Sequence, residues 1–142
     1  MGKINIARVI LGGLVAGVII NIAEGVTNGA LLSARWKAWS EQVGPLTHQP
    51  SGGQAMALWT FLAFALGLIS VWLYAAVRPR FGAGPRTALL IALVIWITYW
   101  PLVAMQHLAL GTVPFDLLAM GSVGGLVGMV AAVLAGAAIY KE

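Results

Sequence analysis

The chain has 142 residues, of which 61% are apolar and only 8% charged, with a net charge of +4 and no cysteine. A water-exposed surface ordinarily takes about a quarter of its residues from Asp, Glu, Lys and Arg, so this set does not build a soluble domain. The missing cysteine excludes disulfides, thiol nucleophiles and thiolate metal sites. Most of the basic residues sit at the ends of apolar runs, with no basic stripe interleaved with aromatics, so the positive charge reads as membrane topology and nucleic acid is not an expected partner.

The first apolar run covers about residues 9–32, between Arg8 and Arg35. It is too long for a cleaved signal, contains a carboxylate, and reads as a retained first helix. Gly13, Gly17, Gly25 and Gly29 recur at four-residue spacing, with Asn21 filling the gap. Asn21, Glu24 and Asn28, at i, i+3 and i+7, share one face. A carboxylate at membrane depth costs roughly 2.5–3.5 kcal/mol on insertion scales, a cost met by a polar partner or a bound proton. Gln106, His107 and Arg35 are the expected neighbours. Two readings stay open: a proton or cation site, or a protonated acid hydrogen-bonded to amides that locks helices together.

Residues 33–54 form the one sizeable loop. Leu32, Trp36, Trp39 and Val43 fall at helical spacing with Arg35, Lys37 and Glu41 on the other faces. This predicts a short amphipathic helix in the outer headgroup region, ended by Gly44-Pro45; an irregular loop with two interfacial tryptophans is the alternative. Pro50-Ser51-Gly52-Gly53 reads as a turn back into the membrane.

The second span covers about residues 55–77 and is the plainest of the four. The loop 78–86 carries Arg78, Arg80 and Arg86. Its Gly-x-Gly lacks the Gly-Lys-Ser/Thr ending and a preceding strand, so it is not a phosphate loop; a tight turn with a basic rim facing anionic headgroups is expected. The third span, about 87–110, holds Trp96, Tyr99, Trp100, Pro101, Gln106 and His107. Pro101 predicts a kink. Trp96, Trp100 and His107 lie close to one face, where they could flank a quinone or tetrapyrrole or simply fill space. His48 and His107 alone make a poor metal site. The fourth span, about 114–140, opens with Pro114 and Asp116, suited to a helix start. It carries Gly121 and Gly125, and Gly124, Gly128, Ala132 and Gly136, at four-residue spacing.

Each run approaches the ~20 residues that span ~30 Å of hydrocarbon, where unpaired backbone groups force helical structure. Lys3, Arg8, Arg78, Arg80, Arg86 and Lys141 fall on one side, and only Arg35 and Lys37 on the other. The expected fold is therefore an all-α integral membrane four-helix bundle, one transmembrane domain over residues 1–142, with both termini cytoplasmic. Glycine costs about 1 kcal/mol inside a helix, so the stripes imply close helix approach, of the first span on the fourth within the monomer or between copies. Gly12-Gly13-Leu14-Val15 recurs as Gly124-Gly125-Leu126-Val127, too short a match in so Gly- and Val-rich a chain to mark a repeat.

Ile4-Asn5-Ile6-Ala7-Arg8-Val9-Ile10-Leu11-Gly12-Gly13-Leu14-Val15-Ala16-Gly17, Leu73-Tyr74-Ala75-Ala76-Val77-Arg78-Pro79-Arg80-Phe81-Gly82 and Gly84-Pro85-Arg86-Thr87 resemble an uncharacterised family of small bacterial four-helix integral membrane proteins. The resemblance covers under a third of the chain. It implies a bacterial inner-membrane location and supplies no activity and no site residues. No catalytic constellation is present, and an enzyme is not expected. The first functional expectation is a non-enzymatic membrane protein that self-associates or serves as an accessory subunit of a larger assembly. The alternatives are a small channel or proton-coupled carrier working through Glu24, and a quinone- or pigment-binding subunit. The residues specify no cofactor.

Overall fold

The computed structural model describes residues 4–46 and 50–141; Lys3 of the topology count and His48 lie outside the described residues. All regular structure among the described residues is helical: α1 (Ile6–Glu24), continuing as π-helical turns over Gly25–Leu31; α2 (Ser33–Val43), tightening to a 3-10 turn over Gly44–Leu46; α3 (Gly52–Phe81); α4 (Pro85–Tyr99); α5 (Pro101–Leu110); and α6 (Phe115–Ile139). Four of the resulting segments are long and apolar enough to cross a membrane: Ile6–Leu31, Gly52–Phe81, Pro85–Leu110 and Phe115–Ile139.

Several boundaries differ from the sequence expectation, each for a local reason. The Gly52-Gly53 pair, read as a turn, is the first turn of α3. Ser51 caps it, its side chain accepting from Gln54 N–H while the Gln54 side chain accepts from Ser51 N–H. At its other end α3 continues to Phe81 with Pro79 inside it, so Arg78 and Arg80 lie on the last helical turn rather than in a loop. The connection shrinks to Gly82-Ala83-Gly84. Gly82 and Gly84 take φ values of +85° and +130°, backbone that side-chain-bearing residues rarely adopt. The Tyr74 hydroxyl accepts from Gly84 N–H at 3.0 Å, and Thr87 Oγ1 donates to Gly82 O at 2.8 Å, pinning the turn.

At Pro101 the third segment breaks into α4 and α5 around Trp100, at φ −93°, ψ −67°. Trp100 N–H to Trp96 O at 2.9 Å and Ala104 N–H to Trp100 O at 2.8 Å carry backbone bonding across the break, so the missing proline N–H bends the helix without ending it.

Helix α1 packs mainly on α3 and α6, α6 also packs on α4, and α3 and α5 make almost no direct contact. The tight part of the bundle is the half that carries both termini. A Cβ at Gly67 would come 2.5 Å from both Gly13 O and Gly17 N, and one at Gly12 2.6 Å from Gly136 O, so backbones meet there directly. Ala16, Val71, Met129, Ala132 and Val133 close the core behind them, all essentially inaccessible. Tyr74 and Tyr140 meet edge to face at 6.2 Å, the Tyr140 hydroxyl accepts from Asn5 N–H at 3.3 Å, and the Arg78 guanidinium stands 5.6 Å over the Tyr140 ring. Arg78, expected on a headgroup-facing rim, is therefore half-buried on a ring, whereas Arg80 and Arg86 are exposed.

The glycine stripes divide differently from the simple expectation. Gly13 and Gly17 face Leu68 and Phe64 of α3, not α6. The α1–α6 seam uses Gly12 with Gly136, and Gly128 against Ala23; further along, Gly124 meets Thr27 and Gly125 meets the Trp100 ring. Gly25 and Gly29 have nothing within 4 Å of a built Cβ, and Gly121 has only Asn28 Oδ1 at 3.8 Å. Those three border open space.

Candidate functional site

The open space is a cavity of about 590 Å³ in the half of the bundle away from the termini. Ile20, Ala63 and Leu66 border it on the side of the packed core. Helix α3 contributes Met56, Trp59 and Thr60; the α4–α5 bend contributes Tyr99, Trp100, Val103, Ala104 and His107; α6 contributes Leu117, Gly121 and Ser122. Trp36 and Trp39 of α2 complete it as a roof. Three features of the chain leave the space unfilled: the side-chain-free Gly25, Gly29 and Gly121, the splay of α5 from α3, and the wide π turns after Glu24. Such π segments occur often at functional sites.

Glu24, half-buried, projects from the last turn of α1 into this space. Asn28 Nδ2 donates to Glu24 Oε2 at 2.7 Å, and Asn28 Oδ1 accepts from Trp36 Nε1 at 3.0 Å. The roof and the carboxylate are thus joined through one amide, whose orientation both bonds determine. Tyr99 and Trp100 line the same space as Glu24. Asn21 lines the cavity and donates to Gly17 O at 3.0 Å, one helical turn back.

The roof is tied down at its far side. Arg35 Nη1 meets Asp116 Oδ2 at 2.6 Å, and Trp39 Nε1 donates to Thr112 O at 3.1 Å. Arg35 is therefore the partner of Asp116 at the start of α6 and not of Glu24. His107 also lines the cavity, but its Nδ1 shares a 2.9 Å hydrogen bond with Thr112 Oγ1 rather than reaching Glu24. Gln106 does not belong to the site: one position before His107 it sits about 100° around the helix, and its side chain is exposed on the outside of α5.

Of the five residues that sequence reasoning grouped as a polar site, the structure brings Asn21, Glu24, Asn28 and His107 to one cavity and leaves out Gln106. Sequence reasoning missed the α3 wall. Met56, Trp59, Thr60 and Ala63 fall at i, i+3, i+4 and i+7, a face on which a tryptophan and a threonine stand among apolar residues; that spacing was the available signal. It likewise missed Gly67, which falls in the small-residue series Ala63, Gly67 and Ala75 at multiples of four.

Among the residues lining the cavity, Glu24 is the one Asp, Glu, Lys or Arg. The wall otherwise combines aromatic rings, aliphatic side chains and a few neutral polar groups, which suits an apolar body with one polar or charged group. A second, shallower depression at Pro50, Gln54, Ala57 and Leu58 lies open to its surroundings and contains no charged side chain. No protein-family model matches the chain, and no curated protein or solved structure matches it either.

Proposed function

We propose that the chain crosses the bacterial inner membrane four times with both termini cytoplasmic, and that it binds an amphipathic small molecule in the cavity of its outer half. Four apolar helices of spanning length and the skew of Lys and Arg toward the terminal side support the topology. In this reading α2 lies in the outer headgroup layer, with Trp36 and Trp39 directed into the protein. Arg80 and Arg86 face anionic headgroups on the other side.

One observation carries the binding role: a cavity of ligand size, about 590 Å³, in which Glu24, Asn28 and Asn21 converge within an aromatic wall. Small-molecule sites ordinarily occupy about 300–1,000 Å³ and have this mixture of walls. In this reading the ligand enters from the bilayer between α3 and α5, which make almost no direct contact and are flanked by the exposed Met56 and Trp59. Past Ile20 the core of Ala16, Val71, Met129 and Val133 is closed, which favours a binding protein over a continuous channel. Gly13, Gly17, Gly124, Gly125, Gly128 and Gly136 meet neighbours within the chain, whereas Gly25 and Gly29 are exposed along the cavity.

Titration of the purified protein with the neutral apolar dye Nile red tests this reading. Saturable fluorescence enhancement at one dye per chain is expected, and Gly121→Phe or Ala104→Phe, which fill the cavity, should abolish it. Equal enhancement by the filled variants and the parent protein would overturn the proposal.

A further inference from the structure

Resting on that cavity reading, we infer that the ligand is a lipophilic organic cation, held by Glu24 and by the faces of the surrounding tryptophans. The inference follows from charge and from wall chemistry. Glu24 is the one Asp, Glu, Lys or Arg facing the cavity, and its hydrogen-bond partner there, Asn28, is a neutral amide. The cations nearest that end are otherwise engaged: Arg35 with Asp116 at 2.6 Å, and Lys37 beside Glu41 at 4.0 Å. Among the described residues no Lys or Arg pairs with the carboxylate, and His107 of the cavity wall bonds to Thr112 instead, so a positively charged ligand would supply the missing counter-charge in a medium where an unpaired charge is costly.

The walls select the kind of cation. Trp36, Trp39, Trp59, Tyr99 and Trp100 all line the space. Aromatic faces attract ammonium- and phosphonium-type cations through the ring quadrupole, the arrangement by which aromatic cages hold quaternary ammonium groups. A small metal ion would instead demand a shell of several oxygen ligands, which indole rings do not provide. An anion would meet a carboxylate with no compensating Lys or Arg. The space of about 590 Å³ exceeds what an inorganic cation needs and accommodates a charged centre with an apolar body. Asn28 keeps the carboxylate in place: it donates to Oε2 while Trp36 fixes its other end, and a carboxylate retains further lone pairs for a ligand. Glu24 and the rings are thereby positioned before a ligand arrives.

Three probes on the purified full-length protein separate this inference from the cavity reading. Tetraphenylphosphonium and tetraphenylborate share shape and size but differ in the sign of charge, and Nile red is neutral. Tetraphenylphosphonium should bind saturably and displace Nile red, and tetraphenylborate should do neither. Glu24→Gln, nearly isosteric, should weaken tetraphenylphosphonium binding about tenfold and Nile red binding far less, the scale expected for losing one desolvated charge contact. An unchanged circular dichroism melting curve shows that the variant is folded. Trp59→Leu should weaken the cation further without touching the carboxylate. If Nile red binds but the borate competes as well as the phosphonium, or Glu24→Gln leaves the phosphonium unaffected, the cation assignment is overturned and the cavity reading stands. If none of the three probes binds, both fall.

Discussion

The two halves of the bundle are built from the same small alphabet and reach opposite results. In the half carrying the termini, glycine brings backbones together: Gly67 sits on Gly13 and Gly17, and Gly12 on Gly136. In the half beneath α2, Gly25, Gly29 and Gly121 face space, and five aromatic residues stand around a cavity. In an apolar solvent helices associate through close packing and a few polar contacts, not through the hydrophobic effect. A bundle with its packing concentrated in one half can therefore leave the other half open. Small residues in a span have no fixed meaning: they mark a seam where a neighbour approaches and a void where it does not.

The comparison is easiest to break with one substitution made in both halves. Gly67→Ala places a Cβ 2.5 Å from backbone atoms of Gly13 and Gly17, where no rotamer change relieves the clash; a loss of about 2–3 kcal/mol is expected in reversible unfolding followed by circular dichroism. Gly25→Ala, at φ −60°, ψ −43° with nothing within 4 Å, should instead be neutral or add up to about 1 kcal/mol. Equal losses at the two sites would mean that the halves are not packed differently.

Asn28→Leu probes the link between roof and carboxylate. It removes both the 2.7 Å bond to Glu24 and the 3.0 Å bond from Trp36, leaving two polar groups without partners at a cost of about 1–2 kcal/mol. Tryptophan emission should shift as Trp36 loses its acceptor; an unchanged spectrum and stability would show that the bridge holds nothing. Arg35→Ala should have the smallest effect. Its pair with Asp116 is about half exposed on both sides, so less than about 1 kcal/mol is at stake, decreasing with added salt. Faster hydrogen exchange confined to α2 is the expected signature, and exchange spread over α1 or α6 would contradict a role local to the roof.

What could be read from the residues alone tracks the range of the forces involved. The four apolar runs are visible because hydropathy and length act locally. Glu24 with Asn28 is visible because they lie one helical turn apart. Arg35 with Asp116 is not, because 81 positions separate them and each has a sufficient local explanation, one as a topology charge and the other as a helix-start carboxylate. Gln106 was grouped with His107 by depth, but depth does not specify azimuth, and after the bend at Pro101 the azimuth decides which residue meets the cavity. Trp36 and Trp39 carry the composition of interfacial anchors, and their inward role depends on how the chain turns between Gly25 and Leu32.

That turn has a consequence for how the chain tolerates change in length. Each hydrogen bond of a π turn closes over one more residue than in the α-helix before it, so Gly25–Leu31 contains slack in its register. Removing one residue there lets the segment relax toward α geometry without rotating the face of α1 that meets α3 and α6. Removing one between Gly12 and Ile20 would swing every buried position downstream by about 100°. Single-residue deletions should therefore be accepted only in the first of these stretches, and variants that differ by one residue there would present Trp36 to the cavity at a new angle while keeping the same packed half.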